Sequence, residues 1–189
     1  LDEAKRNGVS RFGFISPAGV PEGWDQAPLL NAKHRFEQAL QKSGVPWIIF
    51  RSGGFFPDLV EMMKTAAKGP LYAIGDGGSR STPVHIPDLA GVMLAEMGRC
   101  ENAVVEIGGP EDLSWRETCE ACFAALGKPA RISSAPVWLC QLALALIRPF
   151  SYRYWAMGKL LLFMSTHDVC TPKRGTVRLR EYLAQHAAS

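Results

Sequence analysis

The stretch from Arg11 to Phe56 constrains this chain more than any other. Two short apolar runs, Phe12-Gly13-Phe14-Ile15 and Trp47-Ile48-Ile49-Phe50, flank a segment in which Phe36, Ala39 and Leu40 recur at helical spacing. Parallel strands need a crossover between them, and a strand, helix, strand order ending in Gly53-Gly54 spells a parallel βαβ unit. In open α/β sheets ligands bind beyond the carboxyl ends of such strands. Ser16, and Arg51 through Phe56, therefore sit where a ligand would be held.

The rest of the chain continues the α/β pattern. Asp2 to Asn7 reads as a helix end closed by Gly8, and residues 17–29, with three prolines, two glycines and Trp24, as a loop over the ligand crevice. Trp24 either stacks on a ligand or covers the core edge, and the second reading is preferred. Pro57 to Ala67 predicts a helix with Leu59, Met62 and Met63 inward. Leu71 to Ile74 and Ser81 to His85 predict two strands joined by a tight turn through Gly75, Gly77 and Gly78. Pro87 and Asp88 suit the first turn of a helix running to about Arg99; Val104 to Ile107 is a further strand. Ser114 with Glu117 is a capping box opening a helix that Gly127 closes, Ala130 to Ser133 is a short strand, and an amphipathic helix ends near Gln185 before a fraying Ala187 to Ser189.

Several of these segments, in order, carry a family resemblance. Gly8 to Gly19, Asn31 to Phe56, Gly75 to Gly77, His85 to Ala90 and Glu106 to Pro110 together resemble the second half of an atypical or extended short-chain dehydrogenase/reductase of the NmrA-like NAD(P)H-binding group. The resemblance implies an α/β fold, the C-terminal part of a doubly wound, Rossmann-like parallel sheet, with a small helical subdomain on the substrate side. It divides the chain into residues 1–135, the sheet part, and 136–189, a helical cap and C-terminal extension. No G-x-G-x-x-G follows an apolar strand here. The chain accordingly reads as the C-terminal part of a longer protein, with roughly a hundred residues of mononucleotide-binding half preceding it.

The resemblance also assigns residues. Lys33 aligns with the lysine of the family's Tyr-x-x-x-Lys pair, which holds the nicotinamide ribose, and Ser16 with the serine that holds substrate or water. Ser16 and Pro17, with Arg51-Ser52-Gly53-Gly54-Phe55 in place of the family's Arg-Pro-Gly-x-Phe turn, are the expected cofactor contacts, to NAD or NADP. The tyrosine position is Leu29, which cannot exchange a proton. A catalytic set would then be Lys33 and Ser16 with a relocated acid: His85, Tyr72 or a water. His85 also suits a plain backbone-bonded histidine at a strand end, and Asp88 resembles a structural aspartate.

Composition narrows the partners. A net charge of +3 with acidic and basic residues interspersed gives no nucleic-acid footprint, so the expected partner is a small-molecule substrate. Five cysteines, an odd number in helix-like sequence, argue against a disulfide framework and for a reducing, cytoplasmic setting. Cys119 and Cys122 fall mid-helix with no second pair, which suits two buried small side chains better than a metal or redox centre.

Beyond Pro136 the pattern changes. Val137 to Ile147 is apolar on nearly every face and Leu160 to Met164 adds a second run, each shorter than the roughly 20 residues a bilayer span needs. Residues 137–164 fit a cap over the pocket or a contact with another subunit, as in a homo-oligomer, or a helix pair lying at a membrane surface; the cap or subunit contact is preferred. Three functions follow. They are an NAD(P)H-dependent oxidoreductase acting on a small organic carbonyl or related substrate, a non-catalytic NAD(P)H-binding sensor or assembly factor, and a membrane-surface protein.

Overall fold

The structure, a computed structural model, describes residues 1–99 and 102–187. In chain order the elements are α1 (Asp2–Arg6), β1 (Phe12–Pro17), α2 (Val20–Gly23), α3 (Pro28–Gln41), β2 (Trp47–Ser52), α4 (Phe56–Lys68), β3 (Leu71–Ile74) and β4 (Arg80–Ser81). They continue as α5 (Ile86–Met97), β5 (Ala103–Ile107), β6 (Leu113–Ser114), α6 (Trp115–Ala125), β7 (Ile132–Ala135), α7 (Val137–Ile147), α8 (Tyr152–Thr166) and α9 (Leu179–Ala187).

The central sheet is parallel, in the order β1-β2-β5. Phe12 pairs with Trp47 and Pro17 with Ser52, and Ile48 to Ser52 pair with Ala103 to Ile107. Strand β2 is central and buried on both faces, which is why it reads as an unbroken apolar run. On one face Ile48, Phe50, Val105 and Ile107 pack with Val84 and Leu89. A second cluster joins α4, α6 and α9 around Phe56, Met63, Phe123, Leu179 and Leu183. A third packs Phe163 of α8 against Ala18, Val20 and Leu30.

Several boundaries and faces differ from the expectation. The segments 71–74 and 81–85 do not pair with each other: β3 lies parallel to β7, and the two-residue β4 lies antiparallel to β6. Gly75 and Gly77 carry φ of 71° and 73°, so they turn the chain, but into separate sheets. Residues 20–23 of the expected loop form a short helical turn. On α3 Leu40 is buried as expected, but Ala39 is exposed and Glu37 is buried in its stead, with Arg51 as its counter-charge. Helix periodicity locates a face to within one residue, and a carboxylate facing inward carries no apolar signal.

The caps follow local chemistry. Ser114 Oγ accepts from the Glu117 amide at 3.1 Å and the Ser114 amide donates to Glu117 Oε2 at 2.7 Å, completing the capping box. Asp88, in the first turn of α5, accepts from the Thr176 and Val177 amides at 2.6 and 3.1 Å. That clamps the chain leading into α9 and makes Asp88 a structural group. Cys119 and Cys122 are fully buried in the α4–α6–α9 cluster. Ala188 and Ser189 of the expected fraying end, and Cys100, lie outside the described residues.

Candidate functional site

A cavity of about 270 Å³ opens at the carboxyl ends of β1 and β2. Its floor is the end of β1, Ile15 to Pro17, continuing to Ala18. One wall is the turn Ser52-Gly53-Gly54-Phe55 and another is Lys33 of α3. Leu160 and Met164 of α8, with Val169, close the side opposite the sheet.

The turn is shaped by its neighbour. The Val84 amide donates to the Gly54 carbonyl at 2.8 Å and the Phe56 amide to the Val84 carbonyl at 3.2 Å, so residues 54–56 are held as a bridge to 84. A Cβ at Gly53 would lie 2.6 Å from the Thr82 carbonyl oxygen, so only glycine fits that close approach. At Gly54 a Cβ meets nothing, leaving room above the backbone.

The cavity holds few polar groups. Lys33 Nζ donates to the Ile15 carbonyl at 3.3 Å and sits 4.7 Å from the centre of the Phe14 ring. One long bond leaves the ammonium with donors to spare, since it has three. Ser16 is 1% exposed, and its Oγ is buried with no hydrogen-bond partner among the described residues. A buried hydroxyl without a partner costs free energy. Asp58, at the start of α4, is the acidic residue at the rim.

Of the residues expected to bind a cofactor, Ser16, Pro17, Lys33, Ser52, Gly53, Gly54 and Phe55 are brought together on this one cavity. Arg51 is not among its lining. Its side chain points to α3, where Nη2 donates to Glu37 Oε2 at 2.7 Å and Nε to Oε1 at 3.4 Å. His85 also lies elsewhere, capping α5 among Phe56 and Tyr182, with ring centres 5.9 and 5.3 Å away. Tyr72 stands exposed on β3, and Trp24 stacks on His34 at 5.0 Å. Leu29 faces Tyr152 and Met157 at the start of α8 rather than the cavity.

Leu160 and Met164 lie in the 137–164 segment expected as a cap over the pocket or a subunit contact, but the sequence singles out neither, and Val169 lies beyond it. Leu160 and Met164 share a helix face at i, i+4, but nothing local says which element that face meets. What places them is Phe163, whose ring fills the space left by Gly19 and Gly23. Burial pushes the Cys119 thiol up to about 11 and the Cys122 thiol to about 12, the state of inert core cysteines. Among the described residues no group of three His, Cys, Asp or Glu is placed to hold a metal ion. No described helix is long and apolar enough to cross a membrane.

No protein-family model matches the chain. It is 25% identical over 146 residues to the photosystem II assembly factor Ycf39 of Trieres chinensis, covering 75% of this chain and 45% of that protein. The chain thus spans less than half the length of the curated relatives it matches. Among solved structures it superimposes on an NADPH-dependent quinone oxidoreductase of Escherichia coli with TM-score 0.74 and 14% identity, over 98% of this chain and 70% of that one. It superimposes on the NAD complex of UDP-glucose 4-epimerase from Thermus thermophilus with TM-score 0.58 and 22% identity, over 72% of this chain and 54% of the other. The fold is the Rossmann-like α/β fold that these solved structures share, and the chain spans only part of the length of each.

Proposed function

We propose that this chain forms the nicotinamide side of an NAD(P)H site and that the protein is an oxidoreductase for a small organic carbonyl or related substrate. The observation that carries the reading is the gathering of Ser16, Lys33, Gly53, Gly54 and Phe55 on one cavity at the carboxyl ends of β1 and β2. Those residues suit such a cofactor: an ammonium with free donors for ribose hydroxyls, open backbone at Gly54, and the Phe55 ring against an apolar heterocycle. A bound reduced nicotinamide would supply the hydride. Ser16 would then orient the carbonyl by donating its hydroxyl proton, and Lys33 would hold the ribose while its charge favours the developing alkoxide. The final proton would come from water, since Leu29, His85 and Tyr72 do not line the cavity.

That last point favours a second reading, a non-catalytic NAD(P)H-binding assembly factor, which the likeness to the Ycf39 proteins also supports. Fluorescence titration of the full-length gene product with NADH and NADPH tests the shared part. Lys33→Ala should weaken binding about 10- to 100-fold, the worth of charged hydrogen bonds. Binding of neither cofactor, or equal binding by the variant, would refute the site. Turnover of carbonyl or quinone substrates separates the two readings, because the assembly-factor reading requires binding without turnover.

A further inference from the structure

Helices α7 and α8 form a hairpin whose outer face is covered by no described part of the chain. No residue of α7 is fully buried, and Trp138, Leu142 and Leu146 stand 65%, 50% and 64% exposed. At the tip Phe150 is 89% exposed, with Tyr152 and Tyr154 beside it at 66% and 71%. Monomeric proteins seldom leave so much contiguous apolar surface to water.

The charges at this face have one sign. Between Ala121 and His167 the sequence contains no Asp or Glu, whereas the hairpin carries Arg148, Arg153 and Lys159. Arg148 packs on the Trp155 ring, 5.1 Å from its centre, and stays exposed. Toward α3 the flank adds Arg35 and a single carboxylate, Asp25. A two-fold contact with a second copy would set Arg148 and Arg153 near their own counterparts with no acidic residue on the hairpin to receive them. Lipid phosphates receive them instead: phenylalanine enters the acyl boundary, tyrosines sit at headgroup level, and arginines pair with phosphate.

We infer that the α7–α8 tip docks this protein peripherally on an anionic lipid bilayer. Phe150 and the apolar face of α7 enter the headgroup boundary, and Arg148, Arg153 and Lys159 bind the phosphates. Each basic residue at an anionic surface contributes about fivefold in partitioning.

Co-sedimentation of the full-length product with sucrose-loaded vesicles tests this, comparing phosphatidylcholine alone with an equimolar mixture of phosphatidylcholine and phosphatidylglycerol. Binding to the mixed vesicles, weakened by salt, is expected. Arg148→Glu with Arg153→Glu should lower it at least about 25-fold, and Phe150→Ser about tenfold, with thermal unfolding unchanged because these side chains are exposed. Failure to pellet with the mixed vesicles, or variants that pellet like the wild type, overturns the inference. So does a concentration-dependent dimer that Phe150→Ser disperses while vesicle binding is undetectable.

Discussion

Removing the Arg51 guanidinium tests how the sheet holds α3. Arg51 and Glu37 are 17% and 3% exposed and share two contacts, so the pair is nearly dry. Arg51→Met would leave the Glu37 carboxylate buried beside a methyl group, and breaking such a pair on one side costs about 3–5 kcal/mol. Glu37→Gln keeps the shape and an acceptor and should cost less, about 1–3 kcal/mol. Arg51→Met combined with Glu37→Leu replaces both charges by apolar groups and should return to within about 1 kcal/mol of wild type. In urea, with a slope near 2 kcal/mol/M, Arg51→Met should lower the midpoint by roughly 1.5–2.5 M and the double variant by less than about 0.5 M. If Arg51→Met leaves the midpoint in place, or the double variant loses the sum of the single effects, the pair does not hold the structure as described. The same double variant should bind NADH and NADPH as the wild type does, because Arg51 is engaged by Glu37 and does not line the cavity.

Two further outcomes follow from Asp88 and the two core cysteines. Burial works against the Asp88 charge, but the Thr176 and Val177 amides and the Thr176 hydroxyl outweigh it and hold the carboxyl below its ordinary range. A lowered carboxyl pKa contributes stability above the unfolded value, near pH 4, and loses it as pH falls through the folded one. Asp88→Asn should therefore destabilise the protein at pH 7 and flatten the acid limb of its urea midpoint against pH; an unchanged acid limb would exclude the clamp. Cys119 and Cys122, with thiols pushed to about 11 and 12, should resist iodoacetamide at pH 8 until the chain is unfolded, as mass spectrometry of the labelled peptides would reveal. Rapid labelling of either in the native protein would contradict their place in the core.

The βαβ unit was legible because three independent signals agreed: strand-length apolar runs, a helical period between them, and glycines where β2 must turn. The cavity's sheet side followed from that unit alone, since Ser16, Lys33 and residues 52–55 are set by strand ends and one helix. Arg51 belongs to the same turn, but Glu37 of α3 holds its side chain and it does not line the cavity. A residue at a strand end points to either face, and the deciding partner, Glu37, looks in sequence like any solvated helix carboxylate. The pairing of β3 with β7 joins segments about sixty residues apart, and nothing local encodes it. A cap over the pocket was one expectation for 137–164, but which of its residues meet the cavity was not legible, because the seating of Phe163 on Gly19 and Gly23 decides which way α8 lies.

Helix α8 begins at the aromatic tip and ends at the cavity wall, 15 residues later. At the helical rise that is a strut of roughly 22 Å. Its two ends cannot shift independently, for Gly158 presses against Leu144 midway and Phe163 is seated between two glycines. One continuous helix therefore joins the exposed aromatic tip to Leu160 and Met164 on the cavity wall, so the two features share a single rigid element.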